Sequence, residues 1–194
     1  MNSLTPITSQ PAPIGAPVRA LATSAASPRH AALLALWRTY HAEPVQLLRT
    51  REGRTLSRER YRRAEEFMLS LAPGAPGDEP DFLYHAGIVA QLALSSHLLD
   101  VGFPDTWCAR YIGLHVARSL AYANATGFGH ECAETKRLAD VLTPYWKWNR
   151  RSLAEGPRPN DDGFTADDIR ALLRPLLDHV CHVTGHRQSR RGTT

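Results

Sequence analysis

Lysine is almost missing from this chain: of 23 basic residues, only Lys136 and Lys147 are lysines. The rest are arginines, and with so much alanine this matches GC-rich coding, which lowers the functional weight of any single arginine. Acidic residues are missing from the start, none preceding Glu43. Such acid-poor, Ser/Thr-rich starts occur in organelle transit peptides and resemble the uncleaved signals of type III secretion substrates. A basic start and a continuous apolar stretch are absent there, which argues against a secretory signal. Cysteine is scarce: Cys108, Cys132 and Cys181 are odd in number and far apart, with no CxxC pair. That disfavours a disulfide framework and common zinc patterns, and fits reduced thiols in a reducing compartment.

Long apolar runs are also lacking. The nearest, Phe82 to Leu99, is interrupted by His85, Gln91, Ser95, Ser96 and His97, which reads as a buried helix rather than a membrane span. There is no alternating strand pattern, no internal repeat, and no dinucleotide, Walker or Gly-x-Ser-x-Gly fingerprint. The Asn160–Gly163 stretch fails as a calcium loop, because Arg158 and Ile169 fall where Asp and Glu are required.

What is present is ordinary globular material: 43% apolar and 22% charged residues over 194 positions, enough for one domain with a real core. The net charge of +4 is mild for a dedicated nucleic-acid binder. Helical periodicity predicts about six helices in a single compact all-α bundle over 28–186. A disordered Pro/Ser/Thr-rich tail (1–27) and a disordered basic tail (187–194) flank it. The first helix starts after Ser27 with Pro28 at its first position, the second near Ser57, and the last at Thr165, which with Asp168 makes a weaker version of the capping box. Pro175 should kink that last helix, and Gly185 should end it.

Helices over about 80–100 and 105–126 are expected to form a central antiparallel hairpin. Ala109, Gly113, Ala117, Ala121 and Ala125 stand four apart, so on one continuous helix they make a low ridge suited to a close crossing with Ala86, Gly87, Ala90 and Ala93.

Two clusters are candidate binding surfaces. Arg49, Arg51, Arg54, Arg58, Arg60, Arg62 and Arg63 lie within fifteen residues, offset by Glu52 and Glu59. Seven guanidinium groups at that density could neutralise phosphates, while Glu65 and Glu66 offer ordinary helix pairing to Arg62 and Arg63. Tyr145, Trp146 and Trp148 interleave with Lys147, Arg150 and Arg151. Two tryptophans that close on a helix cannot face the same core, so one should reach a groove or surface. His179, His182 and His186 share a helical spacing, but the pattern matches no established zinc site. No metal or cofactor is expected.

The reading that follows is a non-enzymatic binding or regulatory protein acting through protein–protein contacts, with self-association a further option. It is read as a cytoplasmic bacterial protein, in one variant a secretion-associated protein or effector exported by a non-Sec route such as type III secretion. One alternative is a nucleic-acid-binding accessory protein using the Arg49–Arg63 cluster. Another is an enzyme with a histidine-lined pocket between helices three, four and five, which requires His97 and His115 to converge with Glu131 or Glu134. A binder would instead pack those histidines separately and leave Trp146 or Trp148 accessible.

Overall fold

A computed structural model describes residues 27–73, 79–157 and 160–186. The tails, apart from Ser27, and most of the loop after Pro73 lie outside the described residues. Those described are all-helical: α1 Pro28–Thr39, α2 Arg51–Ser70, α3 Glu79–Val101, α4 Asp105–Tyr111, α5 Val116–Ala125, α6 Ala133–Leu142, a 3-10 turn Tyr145–Trp148, α7 Arg150–Glu155 and α8 Ala166–Thr184.

α3 is the axis. α2, α5, α6 and α8 and the 3-10 turn all pack on it. It is long and apolar enough to cross a membrane by composition, but 67% of its apolar window is buried inside the bundle. Ala86, Val89, Ala93, Leu98 and Leu99 are fully enclosed.

A central antiparallel hairpin exists, and its arms are α2 and α3. Gly53 approaches the Leu99 carbonyl, Ser57 bonds Ser96, and Phe67 meets His85; the pairs run in opposite senses. α2 begins six residues earlier than its apolar period indicates, because the Thr50 hydroxyl accepts from the Gly53 N–H at 2.9 Å and caps it.

The stretch expected as one helix over 105–126 is two helices. Gly113 takes φ +59, a left-handed conformation that stops α4 and redirects the chain. α5 then runs alongside α3 in the same sense, with Gln91 bonding Gly113 and Ser119 and His97 meeting Thr126. The small-residue row is therefore no continuous ridge, and only Ala125 of it is buried. Ala109 is exposed, and Ala117 and Ala121 are only half-buried, while Val116, Leu120, Tyr122 and Ala123 carry α5's buried face. The small face of α3 is filled instead by the 3-10 turn. A Cβ on Gly87 would sit 2.1 Å from the Tyr145 Cβ.

α8 forms as its end signals dictate. Thr165 and Asp168 cap each other's backbone in a full capping box, and Gly185 closes the helix at φ +69. Pro175 stands within one continuous helix. Arg174 secures α8 to α2 by a forked contact with the Glu65 carboxylate, at 2.8 and 3.0 Å.

Candidate binding surfaces

The arginine cluster lies mostly on the outer face of α2, and the fold neutralises over half of it. Arg49 and Arg54 reach the buried carboxylate of Asp100 at the end of α3, at 3.0 and 3.6 Å. Arg60 faces Asp105 at 3.4 Å. Arg62 pairs with Glu66, four residues on, rather than with Glu65, at 3.7 Å; Glu65 turns inward to Tyr61 and Arg174. Arg51, Arg58 and Arg63 are exposed and make no ion pair among the described residues. Arg49, Thr50, Arg51, Arg54, Thr55 and Arg58 line one open hollow of about 640 Å³. Asp100 thus braces two guanidinium groups at its edge, while Arg51 and Arg58 stand free.

The second cluster divides between inside and outside. Tyr145 and Trp148 are buried, Trp148 almost completely, whereas Trp146 is half-buried. Arg151 is taken by Glu155 on the solvent side of α7; Arg150 opens α7, and its side chain lies outside the described set. Trp146 stands edge-on to His115 with ring centres 5.7 Å apart.

His97 and His115 do not converge; His97, His130 and His179 instead gather around Phe128, with the His130 and His179 ring centres 5.5 Å apart. His97 lies between Phe128 and Thr126. Burial, with the neighbouring His179 charge second, lowers its pKa to about 4. Its Nδ1 has no hydrogen-bond partner. His115 is at Trp146, in a hollow that neither Glu131 nor Glu134 lines. His179 reaches the Phe128 carbonyl, and His182 is exposed. Among the described residues no three His, Cys, Asp or Glu side chains gather as a metal set. The three cysteines are unpaired.

One contact invites a catalytic reading that sequence spacing could not have suggested. Ser57 Oγ lies 2.7 Å from His186 Nε2. However, Ser96 Oγ donates to the Ser57 carbonyl at 2.8 Å, and Ser57 Oγ to the Ser96 carbonyl at 2.7 Å. The histidine must then donate to Ser57 rather than accept its proton. Both serines are fully enclosed, so the trio is a helix clasp with no route for a substrate.

A groove of about 550 Å³ runs over Ala117 and Ala121 of α5, between Tyr40 and Lys136 and Asp140. A smaller hollow of about 330 Å³ opens at the α4–α5 break. Compared with known families, curated proteins and solved structures, this chain has no match.

Proposed function

We propose that this chain is a non-enzymatic binding protein that takes an acidic protein partner on the outer face of α2. The observation carrying this reading is the hollow lined only by arginine and threonine, with Arg51 and Arg58 exposed and unpaired beside it. A duplex would demand a longer run of free cations. Here Asp100, Asp105 and Glu66 already match Arg49, Arg54, Arg60 and Arg62, and Glu52 and Glu59 interrupt the rest. A short carboxylate-rich segment fits what remains. The separation of His97 from His115 and the enclosed Ser57–His186 pair support a binder over an enzyme. Unpaired cysteines favour work in a bacterial cytoplasm, and the acid-free start also suits export by a type III route.

The test is fluorescence anisotropy with a labelled polyglutamate peptide and with a random-sequence DNA duplex at physiological salt. The peptide should bind more tightly, and R51E/R58E should weaken it at least tenfold. Tighter duplex binding that collapses with salt and in R58A/R60A/R63A would establish the nucleic-acid alternative instead. Peptide affinity unchanged in R51E/R58E would remove α2 as the surface.

A further inference from the structure

The hollow at the α4–α5 break brings two arginines, an imidazole and an indole together. It is lined by Arg110, Ile112, Gly113, Leu114, His115, Arg118 and Trp146, so cations and an aromatic face share one small space. Its volume of about 330 Å³ lies at the small end of ligand pockets. Leu114 is one of the few large apolar side chains left half-exposed, at 50%. It is held there because Gly113 turns the chain outward at φ +59.

Charge sets the ligand's valence. Arg110 lies 3.9 Å from Glu43, so its charge is partly matched. Arg118 has no carboxylate within salt-bridge distance among the described residues. Its guanidinium lies over the Tyr40 ring at 4.5 Å and donates Nη1 to the Tyr111 carbonyl at 2.6 Å, while its buried Nε lacks a partner. Both contacts fix the group without neutralising it. No carboxylate lines the hollow. Burial, and Arg118 second, lower the pKa of His115, so near neutral pH it offers an uncharged ring. One uncompensated cation beside an apolar wall matches a monoanion with an apolar body better than a phosphate dianion.

We infer that the Arg118–Trp146 hollow is a binding site for a small aromatic carboxylate, its carboxylate on Arg118 and Arg110 and its ring against Trp146 and Leu114. The site is separate from the α2 face and independent of what that face binds.

The probe is phenylacetate, titrated into the full chain and followed by amide and indole N–H shifts in nitrogen-15 NMR. Shifts should concentrate on 110–118 and on the Trp146 indole. Phenylacetamide and acetate should each bind at least tenfold more weakly, because one lacks the charge and the other the ring. R110A and W146L should each weaken phenylacetate at least fivefold. R118A risks the Tyr40 contact, so R118K serves as the second variant; it keeps the charge and loses the fork, and should weaken binding severalfold with thermal stability retained. Equal binding of the amide would overturn the carboxylate, and equal binding of acetate the aromatic part. Shifts confined to 49–58 would show that the anion prefers the α2 hollow, and would overturn the site.

Discussion

Two rows of small residues run through this molecule, and they meet opposite fates. On α3, Ala86, Gly87, Ala90 and Ala93 lie on an unbroken helix, and the 3-10 turn carrying Tyr145 presses into the gap at Gly87. On α4 and α5, Ala109, Gly113, Ala117, Ala121 and Ala125 are equally small and stand four apart. Their helix breaks at Gly113, and Ala117 and Ala121 become the floor of an open groove. Small side chains permit close approach without specifying it. Whether a second element arrives depends on the continuity of the helix and on what flanks the row.

The difference can be broken at either row. Gly87→Ala should be the most damaging change, because the new Cβ would meet the root of the Tyr145 side chain and the whole 3-10 turn must move. A loss of about 3 kcal/mol in urea unfolding is expected, and unchanged stability would mean the close approach at Gly87 does not matter.

Acid probes α3 from its polar side. His97 is neutral in the folded state down to about pH 4, whereas in the unfolded chain it gains a proton below about 6.5. Its contribution is therefore complete above pH 6.5 and is lost as pH falls towards 4. The slope approaches 1.4 kcal/mol per pH unit and totals about 3 kcal/mol. H97L should flatten that limb of the stability curve, and an identical acid profile would discount His97.

Gly113→Ala should cost about 1 kcal/mol, since the nearest foreign atom lies 3.8 Å from the added Cβ and only the left-handed backbone resists. Chemical denaturation would read it, and a gain in stability would mean that 105–126 prefers to be one helix. Ala121→Leu should be the mildest change, within about 0.5 kcal/mol, because the side chain enters the open groove. A loss of several kcal/mol would restore Ala121 to a tight crossing.

Local signals survived the passage from sequence to structure. The α8 capping box, Pro28, Gly185 and the division between Trp146 and Trp148 each depend on residues a few positions apart, and each was legible. What failed was long-range or hidden by likeness. Gly113 was one of five small residues, and nothing adjacent marked it as the residue that turns left-handed. The Arg51 start of α2 was masked by a segment without apolar period, where one threonine hydroxyl outweighs propensity. The carboxylates that brace Arg49, Arg54 and Arg60 come from α3 and α4, with Asp100 lying 51 positions after Arg49. The Arg118–Trp146 hollow needed the helix break before its walls could meet.

The Ser57–Ser96 exchange has a consequence for alignment. Where α2 crosses α3, each hydroxyl satisfies the other helix's carbonyl, and His186 reaches the pair from 129 positions later. Sliding α2 along α3 by one turn would strand two hydroxyls and an imidazole without partners away from water, at about 1–3 kcal/mol each. The serines therefore act as a key that admits a single offset between the two longest helices. Because the residue just past the end of α8 supplies the third tooth, that offset is checked by a segment far along the chain.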